Sequence, residues 1–178
     1  MQQRQPNKKF VTSPLRIKRK EFMKKTVCFV SVLLLIWVIC SCGSAEYVFD
    51  TEKAGREISQ IYLNDKTVEI TALGDDEASL RYGLAGLYDK LICGVSVTIT
   101  SDEYLVAEAK DAESAKAIRD KLDEYRKERI DLFASYAQDQ VSKLENAVLK
   151  CEGKYVFFAV AESSSTAENI WNNNLRKK

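Results

Sequence analysis

The chain has 178 residues, of which 46% are hydrophobic and 30% charged, enough for one globular domain and an accessory segment. Its net charge of +1 conceals a division: residues 1–41 hold nine Lys or Arg against one Glu, while residues 42–178 hold 18 Lys or Arg against 25 Asp or Glu. The acidic body argues against nucleic acid as a partner, since phosphate binding needs a basic surface, and the absence of His removes the commonest general base and metal ligand.

Lys24 and Lys25 precede an apolar run from Val27 to Ile39. A basic start, a short apolar stretch and a small residue before a cut site form an export signal. Lysine stays on the cytoplasmic side while the apolar stretch enters the bilayer as a helix. The 13 residues of this run, at ~1.5 Å each, reach ~20 Å, short of a hydrocarbon core of ~30 Å. A cleaved signal helix is the first reading. The rival is an uncleaved span from Thr26 to Cys42, 17 residues long, at the lower limit for crossing. Met23-Lys24-Lys25 reads as a complete start by itself. Residues 1–22 are then either a mis-assigned start or a basic cytoplasmic tail.

The apolar run ends in Ile39-Cys40-Ser41-Cys42. This resembles the lipobox of bacterial lipoproteins, with Ile39 in the aliphatic place, Cys40 second, Ser41 before the cut and Cys42 in the lipid-accepting position. The resemblance implies a signal peptide over 23–41 and a diacylglycerol thioether on Cys42. It also implies a lipid-anchored location on the extracytoplasmic face of the cell membrane. Two acyl chains anchor firmly where one is marginal. Residues 42–46 are a short tether, since only Gly43 to Glu46 separate Cys42 from the apolar triplet Tyr47-Val48-Phe49. Four residues span about 14 Å at most, so a domain over 47–178 is expected close to the membrane.

Asp50 reads as a helix N-cap with Glu52 in the first turn. Ala54, Ile58, Ile61 and Tyr62 then share one face of a helix ending near Leu63. Thr67 to Ala72 is a short candidate strand. Asp75-Asp76-Glu77 suits the start of a helix through Leu84, a better use of three acids than a metal site. From Cys93 the period becomes two: Cys93, Val95, Val97 and Ile99 alternate with small and polar residues, as in a half-buried strand. Ser101-Asp102 then turns the chain into a second strand, Tyr104 to Ala109. Asp111 caps a long amphipathic helix to about Tyr136, with Ala115, Ile118, Leu122, Tyr125, Leu132 and Phe133 at three- and four-residue spacings. Arg129 interrupts that stripe and is expected to snorkel outward. Val141 and Leu144 mark a short turn. Ala147 to Cys151 and Lys154 to Ala161 form a hairpin about Glu152-Gly153, where Gly153 supplies a positive φ. Tyr155 to Val160 is apolar on both faces, the mark of a central strand. Ser165-x-x-Glu168 reads as the capping box of a final helix containing Ile170 and Trp171.

These elements give an α+β domain: an antiparallel sheet of about four strands, with the long amphipathic helix packed on one face, behind an N-terminal signal helix. Leu122 and Phe157 are expected to meet between helix and central strand. Three blocks also carry a resemblance. They are Ala109-Lys110-Asp111-Ala112, Val141-x-x-Leu144-Glu145-Asn146-Ala147-Val148 and Gly153-Lys154-Tyr155-Val156. Together with the leader and the long helix, they resemble a family of small lipoproteins of Gram-positive bacteria known only as a domain of unknown function. The resemblance implies a lipoprotein and supplies no activity, cofactor or catalytic residue.

No motif of catalysis stands out. Tyr62-x-x-x-Lys66 has the spacing of a dehydrogenase dyad, but no glycine-rich dinucleotide loop precedes it. No Ser sits in a nucleophile-elbow pentapeptide. Cys93 and Cys151 are the only Cys after Cys42, and two Cys without His make a poor zinc site; buried free thiols are expected. The sequence therefore points to a non-enzymatic binding module at the cell envelope, with no cofactor or metal. Its expected partners are membrane lipid through Cys42 and an envelope protein whose basic patch meets the acidic body. The alternatives are an accessory subunit of a membrane complex, or a hydrolase with an Asp or Glu site.

Overall fold

The computed structural model describes residues 46–178. The signal helix expected over 23–41, and Ile39, Cys40, Ser41 and Cys42, lie outside the described residues. No helix among the described residues is long and apolar enough to cross a membrane.

The chain begins with β1 (Tyr47–Phe49), α1 (Thr51–Asn64), β2 (Ile70–Ala72), α2 (Asp75–Tyr82), β3 (Tyr88–Ser96) and β4 (Glu103–Ala109). It continues with α3 (Ala112–Phe133), α4 (Gln138–Glu145), β5 (Val148–Glu152), β6 (Tyr155–Val160), α5 (Ser164–Asn174) and β7 (Leu175–Lys177). The main sheet has five antiparallel strands in the order β2-β3-β4-β6-β5, and β1 pairs with β7 in a second, two-stranded sheet. The protein is α+β. The sheet is one strand larger than expected, because β2 holds on through three residue pairs to β3. The β1–β7 pair joins short strands from opposite ends of the domain, and neither strand is long enough to show a period.

Local chemistry sets the helix starts. Asp50 accepts a hydrogen bond from the Lys53 amide at 2.9 Å, and Asp111 accepts one from the Ser114 amide at 2.7 Å. Each satisfies an amide that the first helical turn leaves unpaired. The last helix starts two residues before the expected Ser165: Ser163 is its cap and faces the Thr166 amide. Its hydroxyl also reaches the Thr166 hydroxyl at 2.7 Å, a local bond that Ser165 does not match. The α3 helix ends at Phe133, and the Ala134–Ala137 segment leaves Tyr136 exposed.

Alternation along the central strands divides the interior in two. On β4, Leu105, Ala107 and Ala109 point to one face, and Tyr104 and Val106 to the other. On β6, Val156, Phe158 and Val160 share the first face, and Tyr155, Phe157 and Ala159 the second. The first cluster draws on α2, α3 and α4 through Tyr82, Ile118, Leu122 and Leu144. The second draws on α1 and α5 through Ile58, Tyr62, Ile170 and Trp171. The expected meeting of Leu122 with Phe157 is therefore wrong by one residue. Leu122 shares its cluster with Phe158, and Phe157 packs with Trp171 on the opposite face of the sheet. Helical spacing located the apolar stripe, but a strand apolar on both faces gives no parity to match against it.

The period-two run from Cys93 also ends early. Cys93 and Val95 are buried, whereas Val97 and Ile99 are 53% and 84% exposed. After Ser96 the chain leaves the ladder. The Ser96 hydroxyl accepts from the Thr98 amide at 3.1 Å and from the Thr100 hydroxyl at 2.9 Å. Such local bonds compete with strand pairing, and residues 97–102 become a loop. In the β5–β6 hairpin Glu152 pairs with Tyr155, so the turn is Gly153-Lys154, with Gly153 at φ +56°. Cys93 on β3 and Cys151 on β5 are three strand spacings apart, roughly 14 Å. That distance excludes a bond between them. Both are free thiols, Cys93 buried and Cys151 half-buried, and burial pushes the Cys93 thiol up to about 11.

Candidate functional site

The least expected residue of the interior is Glu103, the first of β4. It shares the parity of Leu105 and so points inward toward α2 and α3. Its side chain is 1% exposed. Tyr82 from the end of α2 and Tyr125 from α3 both donate hydrogen bonds to Glu103 Oε2, each at 3.0 Å. Two arginines flank it. Arg81 Nη2 lies 4.0 Å from Oε2, and Arg129 Nε lies 3.9 Å from Oε1. Burial raises the Glu103 carboxyl above its ordinary value, opposed by Arg129, Arg81 and the two tyrosine hydrogen bonds. The same burial, with Glu103 alongside, pushes the Tyr82 and Tyr125 hydroxyls far up, so both remain protonated donors.

Helix geometry explains the cluster. Tyr125, Arg129 and Phe133 recur every four residues on α3 and so stack on one face. The Arg129 guanidinium lies 4.9 Å from the Phe133 ring centroid and 5.8 Å from that of Tyr125. Arg81 reaches the same Tyr125 ring from α2 at 5.6 Å, and its Nε donates to the Tyr125 hydroxyl at 3.0 Å. The expected outward snorkelling of Arg129 is thus overturned. Its side chain is 17% exposed and turned toward Glu103, because that carboxylate and two aromatic faces hold it in place.

The two arginines open on a cavity of about 270 Å³ between the 97–102 loop and the end of α3. Ile99, Leu132 and Tyr136 supply exposed apolar surface around it. The loop is pinned at its far end. Gln140 Oε1 accepts from the Ser101 amide at 2.8 Å, and Lys143 bonds Asp102 at 3.1 Å, with Ser101, Asp102 and Gln140 all buried. The turn expected at Ser101-Asp102 is a buried polar anchor for a loop whose middle is exposed.

Other sequence candidates resolve more simply. The Tyr62 hydroxyl lies 2.9 Å from the carbonyls of both Glu103 and Val160, bracing the β4 and β6 ends, and has no part in a dyad with Lys66. Asp75, Asp76 and Glu77 form the first turn of α2. Among the described residues no three His, Cys, Asp or Glu gather as metal ligands would. Sequence reasoning missed Glu103, Arg81 and Arg129 as a group. The signal was there: Glu103 has the inward parity of Leu105, and an arginine inside an apolar helical stripe calls for a buried carboxylate.

A family model described as a domain of unknown function, DUF4358, matches residues 64–161. The chain belongs to this family. The DUF4358 segment runs from the end of α1 through β6, so it contains Arg81, Glu103, Arg129 and the whole 97–102 loop. It leaves out β1, most of α1, α5 and β7. No curated protein and no solved structure matches the chain.

Proposed function

We propose that this protein is an exported lipoprotein of the Gram-positive type. Residues 23–41 serve as its signal peptide, Cys42 carries the lipid, and the folded part is a non-enzymatic binding module on the extracytoplasmic face. The address rests on the apolar run that ends in Ile39-Cys40-Ser41-Cys42. The binding role rests on the cavity beside Arg81 and Arg129, a concave site with convergent charged groups and apolar walls. An envelope protein with a basic surface remains part of the reading, since the acidic body favours such an encounter. A hydrolase is the rival reading, and one observation favours it: Glu103 is a buried carboxyl with a raised proton affinity near a cavity. Against it, both donors to Glu103 are tyrosine side chains of the fold, and two arginines stand between it and the opening.

Mass spectrometry of membrane-extracted protein tests the address. The expected species begins at an acylated Cys42, and a dominant intact peptide spanning Ser41 and Cys42 would overturn it. Crosslinking in intact cells tests the role. A specific partner or ligand should be captured, and captured poorly by Cys42→Ser. Turnover of an envelope substrate that is abolished by Glu103→Gln would replace binding by hydrolysis.

A further inference from the structure

We propose that the cavity between the 97–102 loop and the end of α3 binds a small monocarboxylate with a short apolar body, its carboxylate seated between Arg81 and Arg129. The proposal deepens the binding reading above and rests on it. Charge is the first argument. Two guanidinium groups face one carboxylate, Glu103, while the neighbouring Asp102 is taken by Lys143 at 3.1 Å. The cluster keeps one positive charge without a counterpart inside an acidic body, and a monoanion balances it. A phosphate dianion would over-compensate beside Glu103.

Unused bonding capacity is the second argument. The arginines stand 3.9 and 4.0 Å from the Glu103 oxygens, beyond the usual ~2.7–3.2 Å of a hydrogen bond. Both tyrosines are spent on Oε2. Among the described residues, the buried Arg129 Nε and Glu103 Oε1 face each other at 3.9 Å without a hydrogen bond. The Tyr125 hydroxyl takes Arg81 Nε at 3.0 Å and Arg129 Nη1 at 3.5 Å, which leaves the Arg81 Nη groups and Arg129 Nη2 for a ligand. A structural ion pair would use the fork of each guanidinium on Glu103. Here aromatic rings fix the forks beside a cavity, an arrangement suited to paired N–H groups on a carboxylate.

The walls supply the third. Val95 and Phe133 form the inner lining, and Ile99, Leu132 and Tyr136 are exposed apolar groups at the rim. A cavity of about 270 Å³ is at the lower end of ligand sites, which run from ~300 Å³ upward. That size suits an acid with a branched aliphatic group. A free branched-chain acid and the C-terminus of a peptide ending in an apolar residue share this chemistry.

Full-length lipidated protein in nanodiscs, labelled with ¹⁵N-arginine, provides the test through the Nε–H resonances of Arg81, Arg129 and the exposed Arg119. Probes are 3-methylbutanoate, N-acetyl-leucine, N-acetyl-leucine amide, 3-methylbutylamine and inorganic phosphate. The two carboxylates should shift Arg81 and Arg129 saturably and leave Arg119 in place. Tighter binding of N-acetyl-leucine indicates a peptide end, and tighter binding of 3-methylbutanoate a free acid. Arg129→Gln and, separately, Arg81→Gln should weaken binding by about tenfold or more, with folding checked by thermal unfolding. Arg81 is one-third exposed and is the variant to rely on if Arg129→Gln fails to fold. Equal shifts with phosphate or the amide would overturn the carboxylate while leaving a binding site. No shift with any probe would overturn the proposal, and the anchored-module reading would then stand or fall on the crosslinking result alone.

Discussion

On one face of the main sheet, Phe157 meets Trp171 with ring centroids 6.1 Å apart, Trp171 meets Phe49 at 4.7 Å, and α1 and α5 close over them. On the other face, Phe158 and Leu122 sit in an equally buried cluster, but a carboxylate, two tyrosines and two arginines occupy one end of it. The first face is held by apolar and aromatic contact. It admits α1 so closely that a Cβ on Gly55 would come within 2.9 Å of Ile92. The second face gives up part of that contact to keep charged groups at an opening. Burying ionised groups is costly unless they are paired. The contrast sets the candidate site on the α2–α3 side, whose helices lie within the family segment.

The largest expected effect tests the separation of the faces. Phe157→Ala and Phe158→Ala should each cost ~3–5 kcal/mol in urea denaturation. Combined with Leu122→Ala, Phe157→Ala should be additive within ~0.5 kcal/mol, since the two residues lie on opposite sides of the sheet. Phe158→Ala with Leu122→Ala should be non-additive. Coupling of Leu122 to Phe157 instead would mean that β6 is set in the other register.

A smaller loss comes from the charged end. Glu103→Ala should cost about 2–3 kcal/mol, because Tyr82 and Tyr125 lose their shared acceptor. Glu103→Gln keeps an acceptor and isolates the ionisation. Burial raises the folded-state value of this carboxyl, so the folded chain holds its proton more tightly than the unfolded chain does. Its contribution to stability is full below the ordinary carboxylate value of ~4.3 and declines as pH rises toward the folded-state value. The difference in unfolding free energy between the native chain and Glu103→Gln should shrink or reverse over that window. A difference growing with pH would mean that the arginines outweigh burial.

The smallest effect belongs to neither face. Asp111→Ala should cost ~1 kcal/mol by removing the bond to the Ser114 amide. Beyond that uniform loss, Glu103 and its tyrosines should behave as before.

Features governed by near neighbours could be read from the sequence. Asp50 and Asp111 cap the helices as expected, and Gly153 supplies the positive φ of its hairpin. The helices at 51–64, 75–82 and 112–133 follow their apolar spacing or acidic first turns. What could not be read depends on residues distant in the chain. The three residues of β7 become a strand only because β1 is there to pair with them. Val97 and Ile99 continue the alternation of Cys93 and Val95, but Ser96, with its local bonds, ends the strand. The candidate site falls in the same class. Glu103 and Arg129 are 26 positions apart; the parity of one and the apolar stripe around the other mark each as inward, but only the fold sets them side by side.

The pairing of β1 with β7 has a mechanical consequence. Glu46 and Lys178 meet there, beside the Gly153 turn, where Tyr47 approaches Gly153. The α1 and α3 helices and the β4 and β6 strands run lengthwise from that end to the end holding Glu103 and the 97–102 loop, roughly 20 Å away. A load applied at the cavity and resisted at Glu46 passes through β1, whose one ladder partner among the described residues is β7, and then along the chain into α1, which packs on the main sheet. The same force applied between Glu46 and Lys178 would part the β1–β7 bonds one pair at a time. Three residue pairs are all that the β1–β7 ladder sets against that force.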